Sequence, residues 1–368
     1  MPDAQLRIGV DARPLCHPGT GIYRYTRELL TRMCAMGGQW FLYSPQAFDT
    51  EGLDLETVTH RMANVPAYLG GSQASQLLFP RWASRDAIDL FWGPRHHLPR
   101  LLPGAVPAVL TVHDLVWQQQ GASMPAYRRL TERLLMPASL RRAQHIVTGT
   151  DYIAAQLREA FPGARGKLSV IPYGSSFEPK EGHTPAGRFE RGYFLFVGTM
   201  EPRKNLPGLL DAYRSYLARA LNPRDLRLVG GVGWGGIDPA TLVSDRGLAD
   251  RVEIIRGVSD QQLSRIYDGA FALVLPSFYE GFGLPVVEAL AHGVPVIVSR
   301  NSALSEVAGE AAYPVNPRAS EEIGNAMLGL GDDFDLYCRL HASAGEQALK
   351  YRWDDSAAKM YAILCNQM

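Results

Sequence analysis

The stretch Phe271 to Leu290 reads FALVLPSFYEGFGLPVVEAL. A short apolar run, Phe271 to Leu275, gives way to a turn carrying Gly281 and Gly283, and Pro285 then opens a second apolar run. That order predicts a strand, a tight turn and a helix, because proline suits the first turn of a helix and glycine permits a close backbone approach. The helix start then offers free N–H groups and a positive dipole end at the carboxyl end of a strand, where a diphosphate would fit. Glu288, one turn into the helix, could accept hydrogen bonds from ribose hydroxyls, and Glu280, just before the glycines, could face a sugar. Acidic residues near a helix N-terminus also stabilise the dipole by roughly 0.3–1 kcal/mol each. That simpler reading leaves the Gly-rich turn between the two carboxylates unexplained.

Working outward, Val197 to Leu206 reads VGTMEPRKNL and also passes from a strand into a helix. Arg203 and Lys204 there put two cations where the helix dipole gains nothing from them, which asks for an anion. Arg brings a planar fork and Lys a point charge, suited to neutralising charge that develops on a diphosphate leaving group. Similar apolar runs recur along the chain, each followed by a helix-length mixture, the mark of βα units and a parallel sheet. In the first half the expected strands are Arg7 to Ala12, Trp40 to Ser44, Ile88 to Trp92, Val106 to Val112, His145 to Thr148 and Leu168 to Ile171. In the second they are Tyr193 to Val197, Leu226 to Val229, Val252 to Ile255, Phe271 to Leu275, Pro295 to Val298 and Ala311 to Val315. Two such sets imply two doubly wound α/β domains, each binding ligands at the carboxyl ends of its strands, with a cleft expected between them. Tyr173 to Gly192, with Gly174, Pro179, Gly182, Pro185 and Gly187, reads as the linker.

A length of 368 residues suits about two domains at roughly 150 residues each. Apolar residues make up 46% and charged residues 20%, enough to build a core and unlike a disordered chain. Lys plus Arg equals Asp plus Glu at 37 each, which argues against bulk capture of nucleic acid and makes any anion site local. Cys16, Cys34, Cys338 and Cys365 lie far apart with no CxxC pair, so neither a zinc site nor a disulfide framework is expected. The N-terminus runs through Pro2, Asp3 and Gln5 into a strand without a charged leader, and no apolar stretch approaches the roughly 20 residues of a membrane span. A cytoplasmic protein is expected. Arg128, Arg129, Arg133, Arg141 and Arg142 share a helical stretch with Leu130, Leu134 and Leu135, which leaves open a solvated face or a peripheral contact with anionic lipid.

The segments EGFGLPVVEAL and GTMEPRKN, VIPYG at Val170 to Gly174, and Thr111-Val112-His113-Asp114 together resemble the retaining nucleotide-sugar glycosyltransferases of family four. The resemblance spans nearly the whole chain. The loop Gly19-Thr20-Gly21-Ile22-Tyr23-Arg24-Tyr25 resembles that family's glycine loop, and Arg352-Trp353 resembles its C-terminal element that returns to the first domain. Within the family the wording is most similar to bacterial mannosyl- and rhamnosyltransferases of polysaccharide assembly, lipopolysaccharide included.

The resemblance implies a GT-B fold: residues 1–175 as the acceptor domain, completed by a helix over 352–368, and residues 176–351 as the donor domain. It implies that Arg203 and Lys204 bind the diphosphate and Glu288 the ribose. Glu280 with the backbone at Phe282 and Gly283 would hold the sugar, Leu284 would join that donor set, and His113 would lie beside the sugar from the other domain. Arg256-Gly257-Val258 matches the stretch whose backbone meets the nucleobase. Gly21 enters the donor set through the glycine loop, although Gly19 and Gly21 suit a plain tight turn equally well. One departure is Tyr173, where relatives often carry Asn.

Other classes carry less. Gly231-Val-Gly233-Trp-Gly-Gly236 matches GxGxxG after a strand, as in a nicotinamide-dependent oxidoreductase, but Pro239 interrupts the following helix and Glu253 lies within a strand. A non-catalytic carbohydrate-binding protein would not need paired cations at a Gly-rich helix start. Nucleotide-sugar epimerases and phosphorylases share the two-domain plan, but the pattern around Glu280 argues against them. Asp333-Phe-Asp335 looks like a metal-binding DxD yet reads better as helix-start acids. The expectation is therefore sugar transfer with retained anomeric configuration, with no cofactor and no obligatory metal. The donor is a nucleotide sugar, GDP-mannose or GDP-rhamnose before UDP-sugars, and the acceptor a glycan or lipid-linked glycan. No carboxylate pair stands out as nucleophile and acid, which favours front-face displacement.

Overall fold

The computed structural model describes residues 5–54, 56–63, 71–119, 124–180 and 184–367. Pro2, Asp3 and Gly182 lie outside the described residues, as does the side chain of Arg128. The chain divides into two compact units, one of Met1–Leu115, Tyr127–Gly174 and Arg352–Met368, the other of Val116–Ala126 and Ser175–Tyr351.

The first unit is built on β1 (Arg7–Asp11), β2 (Gln39–Ser44), β3 (Val58–Met62), β4 (Leu90–Gly93), β5 (Ala108–Val112), β6 (His145–Thr148) and β7 (Leu168–Val170), in the order β3-β2-β1-β4-β5-β6-β7. The second is built on β8 (Tyr193–Val197), β9 (Leu226–Val229), β10 (Val252–Ile255), β11 (Ala270–Leu275), β12 (Val296–Ser299) and β13 (Ala312–Val315), in the order β10-β9-β8-β11-β12-β13. The paired strands run parallel in both sheets. Every residue of β5, β11 and β12 is buried, as expected of strands covered by helices on both faces. The order reverses between β1 and β4 and again between β8 and β11. Each reversal opens a crevice at the carboxyl ends of the two strands, the place where doubly wound sheets bind ligands.

Three sequence expectations need correction. β3 was not foreseen, because its residues VTHRM alternate polar and apolar only weakly and none is buried. A tertiary partner sustains it at the sheet edge, since Arg61 forks onto the buried carboxylate of Asp86. β4 and β5 begin two residues later than expected: Ile88 N–H is spent on Ala83 O (3.3 Å) and Val106 N–H on Pro103 O (3.0 Å), so both close the preceding turn. The stretch Tyr173 to Gly192 is not wholly a linker, because Pro185–Arg191 is a helix with proline in its first turn. Arg188 anchors that helix by donating to the carbonyls of Asp268 and His292, contacts that local composition does not reveal.

The last helix, Trp353–Cys365, belongs to the first unit. Trp353 stacks on Tyr173 (centroids 6.2 Å apart, planes 12°) and meets Tyr25 edge-on, while Ser356 Oγ donates to Pro172 O at 2.6 Å. Gly174 lets the backbones pass: a Cβ there would sit 2.3 Å from Trp353 N. Gly174→Ala should therefore push the last helix off the first unit and cost about 1–3 kcal/mol, the usual range for overpacking. Thermal unfolding checks this; a wild-type midpoint in the variant would contradict the packing.

Candidate functional site

In the second unit, β8 and β11 flank the reversal in sheet order, and each ends in an irregular turn. After β8 the chain passes Gly198 and Thr199 to a 3-10 turn, Pro202–Lys204, and then Asn205, whose left-handed backbone (φ 59°) starts the helix Leu206–Leu217. Asparagine tolerates that conformation better than most side chains. Its Nδ2 donates to Pro276 O (3.2 Å) and Pro317 O (2.6 Å), which ties the first turn to the one after β11. The second turn donates back, from Phe278 N to Arg203 O at 2.7 Å.

These ties bring Arg203, Lys204 and Glu280 into contact. Glu280 Oε1 pairs with Lys204 Nζ at 2.5 Å, and its Oε2 accepts from the Arg203 guanidinium, which also reaches Tyr279 O. Ser277 Oγ donates to Glu280 Oε1 at 2.9 Å, and Glu201 pairs with Arg203 Nε at 2.9 Å. Burial alone would raise the Glu280 carboxyl, but Arg203 and Lys204 outweigh it and hold it down at about 2. Burial lowers Lys204 despite the opposing pull of Glu280. The two cations thus face two carboxylates, Glu201 and Glu280, in a buried, ordered cluster. Glu201, Ser277 and Asn205 are the members that the sequence reading did not single out. Ser277 three residues before Glu280 and Asn205 closing the PRKN run were the available signals.

The turn continues through Phe282, which is buried edge-on against Tyr351 (5.8 Å, 82°), to Gly283. Gly283 adopts φ 107° as the cap of the helix Leu284–Ala291, and a Cβ there would meet Leu304 at 2.5 Å. Leu284 and Pro285 form the first turn of that helix; proline has no N–H to offer, and the Val286 and Val287 N–H groups return to Gly283 O at 2.8 and 3.4 Å. Glu288, one turn on, is buried and accepts from Tyr267 OH at 2.9 Å. Val258 is half-buried in the loop after β10, between Gly257 and the capping Ser259 of the helix Asp260–Asp268.

His113 and Gly21 lie in the first unit. Gly21 is exposed and begins the helix Gly21–Cys34, capped by Thr20, whose Oγ1 accepts from Tyr23 N at 3.1 Å. His113 follows β5 and is buried, with both ring nitrogens engaged: Nε2 lies 2.8 Å from Pro94 O and Nδ1 2.7 Å from Tyr173 OH. A carbonyl only accepts, so the proton sits on Nε2 and the Tyr173 hydroxyl donates to Nδ1. Burial first, then His96 and Arg95, push His113 down to about 3 against the opposing Pro94 carbonyl, so the ring is neutral. Tyr173, the departure from the resembled pattern, thus serves as the donor that fixes the His113 tautomer. Burial raises its own pKa well above the usual range and keeps it protonated.

Asp333 caps the helix Phe334–Ala348, its Oδ1 accepting from Leu336 N at 2.8 Å. Among the described residues, no group of three His, Cys, Asp or Glu side chains is arranged to hold a metal ion, and no helix is long and apolar enough to cross a membrane. All four cysteines are free.

Two family models match, glycosyl transferases group 1 over residues 185–345 and Glycosyltransferase Family 4 over residues 19–176. The O-antigen chain mannosyltransferase B of Escherichia coli is 30% identical over 95% of this chain and 97% of its own length. Among solved structures, the fold is shared with a sucrose-phosphate synthase from Thermosynechococcus elongatus (TM-score 0.79, 20% identity, 98% of this chain and 99% of that one). It is also shared with Anabaena HepE in complex with UDP-glucose (TM-score 0.74, 17% identity, 99% and 100%). With strand order, both family matches and a 30% identity that runs nearly the full length in agreement, the chain belongs to the family-four glycosyltransferases and has their GT-B fold.

Proposed function

We propose that this glycosyltransferase moves a hexose from a nucleoside-diphosphate sugar to a glycan or lipid-linked acceptor in bacterial polysaccharide assembly. In this reading the second unit holds the donor, the first unit serves the acceptor, and the sugar keeps its anomeric configuration. The observation that carries it is the meeting of Arg203, Lys204 and Glu280 between two strand-to-helix turns at the reversal of a parallel sheet. Mannose is the favoured hexose, with GDP as its carrier, because the E. coli relative is a mannosyltransferase. Rhamnose is the alternative hexose. A UDP-sugar is the second choice of donor, supported by the UDP-glucose in the HepE structure.

Mechanistically, Arg203 and Lys204 take the charge that grows on the leaving diphosphate, assisted by the helix start at Leu284, and no metal is required. Glu280 is bound to both cations and held down at about 2, which makes it a poor base. It is better suited to accepting hydrogen bonds from sugar hydroxyls. The bond from C1 to the phosphate oxygen breaks while the acceptor oxygen bonds C1 on the same face, and the departing phosphate takes the acceptor's proton. Glu288 supports ribose binding and Val258 lies in the nucleobase loop. His113, neutral and fixed by Tyr173 and Pro94, contacts the sugar or acceptor. A hydroxyl reaching Nε2 must displace the Pro94 carbonyl.

A peripheral membrane contact fits the first unit. The exposed face of the helix Ala126–Arg142 carries Tyr127, Leu130 and Leu134 with Arg129, Arg133 and Arg141. Exposed Leu77 and Leu101 line an adjoining groove with Arg100. Apolar side chains interleaved with arginines suit the headgroup region of anionic lipid.

Three outcomes follow. His113→Ala and Glu280→Ala should each lower kcat about 100-fold or more, His113→Ala leaving affinity for the bare nucleotide unchanged and Glu280→Ala not weakening it, and NMR should show the donor's configuration kept in the product. Full activity in both variants, or an inverted product, would contradict the reading. Because Glu280 stays anionic and His113 neutral well below neutrality, kcat/KM should show no acid limb from either between about pH 5 and 8. A limb that disappears with His113→Gln would contradict this. The protein should bind phosphatidylglycerol vesicles in low salt and release as salt rises, and a Leu130→Ser, Leu134→Ser, Arg133→Glu variant should bind several-fold less. Equal binding would remove the membrane face.

A further inference from the structure

The segment after β4, Pro94 to His97, lies beside His113 and meets the helix Ala126–Arg142. The His113 backbone N–H donates to His96 Nε2 at 3.1 Å. That ring nitrogen must therefore be bare, which puts the His96 proton on Nδ1. Nδ1 faces Glu132 Oε2 at 3.5 Å, and the same oxygen accepts from His97 Nε2 at 2.9 Å. One carboxylate thus sets two neighbouring imidazoles in opposite tautomers, His96 protonated on Nδ1 and His97 on Nε2. All three groups are largely buried, with side chains 11%, 5% and 18% exposed. Burial would raise the Glu132 carboxyl, but the two imidazoles hold it well below the usual carboxylate range, so it stays an acceptor.

We propose that Glu132 and His96 form a positioning clamp for His113. The proposal rests on the reading of His113 as a group that meets the sugar or acceptor. His113 is then held at three points. Tyr173 and Pro94 fix the ring, and His96 fixes the backbone just where β5 ends and the chain must turn. The clamp's strength depends on the Nδ1–H tautomer of His96, which Glu132 selects. Without the carboxylate, the imidazole is free to place its proton on Nε2, and two N–H groups would then face each other at 3.1 Å with nothing to accept either. The strand end at His113 would shift, and a small misplacement of a reacting group lowers rate far more than binding. Glu132 and His96 would act through His113 and touch neither donor nor acceptor.

The experiment combines tautomer and rate in the full chain. In protein labelled with 15N-histidine, the imidazole shifts should report Nδ1–H for His96 and Nε2–H for His97 and His113. Glu132→Ala should mix the His96 tautomers and lower kcat about 10-fold to 100-fold. Affinity for bare nucleoside diphosphate, which the second unit binds, should stay unchanged. Glu132→Gln keeps an amide oxygen as acceptor and should recover most of the rate and the His96 tautomer, which a merely structural loss would not do. His96→Ala should match Glu132→Ala. An Nε2–H tautomer for His96 in the wild type overturns the clamp. So does an unchanged rate in Glu132→Ala beside a slow His113→Ala enzyme, an outcome that leaves the reading of His113 standing. A fully active His113→Ala enzyme overturns both.

Discussion

The contact between Glu280 and the pair Arg203 and Lys204 joins two loops that have no covalent reason to be together. One follows β8 and the other β11, strands that neighbour each other only because the sheet order reverses there. Lys204 and Glu280 are buried and Arg203 is half-buried, so these ions give up hydration that their partners must replace. Removing one partner from such a cluster typically costs about 3–5 kcal/mol, because the other is left buried and unpaired. The backbone bond from Phe278 to Arg203 and the Asn205 side chain spanning Pro276 and Pro317 hold the turns in register without using the charges. The register of the two turns therefore does not depend on the ion pairs alone.

That division of labour favours the proposed donor site over a purely structural salt bridge. A purely structural pair gains nothing from a helix N-terminus at its side. Here Gly283 caps and Leu284 opens a helix in the same turn that carries Glu280, so in the proposed reading the positive end of that helix adds to Arg203 and Lys204. Glu201 and Glu280 balance the cations in the unliganded cluster, and a diphosphate would compete with them for the same donors. The first unit has its own version of a fixed polar site, in which imidazoles are held by carbonyl, hydroxyl and carboxylate partners.

Much of the fold was legible because buried parallel strands are continuous apolar runs. His145–Thr148, Tyr193–Val197 and Leu226–Val229 match their expected bounds for that reason, while Val252–Ile255, an edge strand with only Val252 buried, was legible from its Val and Ile content. Val58–Met62 was not legible, because an edge strand needs little apolar character and this one relies on Arg61 reaching Asp86. The helix Pro185–Arg191 was hidden by its proline and glycine, and it is anchored through Arg188. At the site, the glycines and cations announced themselves by sitting at strand ends. Their mutual pairing did not, because it depends on which strands are neighbours. The partners of His113 were equally out of reach, since Pro94 and His96 come from the loop after β4 and Tyr173 from the one after β7.

The proposed function requires the Arg203, Lys204 and Glu280 cluster to recognise the diphosphate specifically. Calorimetry with guanosine and uridine di- and monophosphates, on the wild type and on a Arg203→Ala, Lys204→Ala double variant, measures this directly. The wild type should prefer the diphosphate of its own base by about 10-fold to 100-fold, since charged hydrogen bonds contribute roughly 1.5–3 kcal/mol each and a factor of ten is about 1.4 kcal/mol. In the double variant that preference should collapse while monophosphate affinity stays. A diphosphate preference that survives the loss of both cations would contradict the assignment.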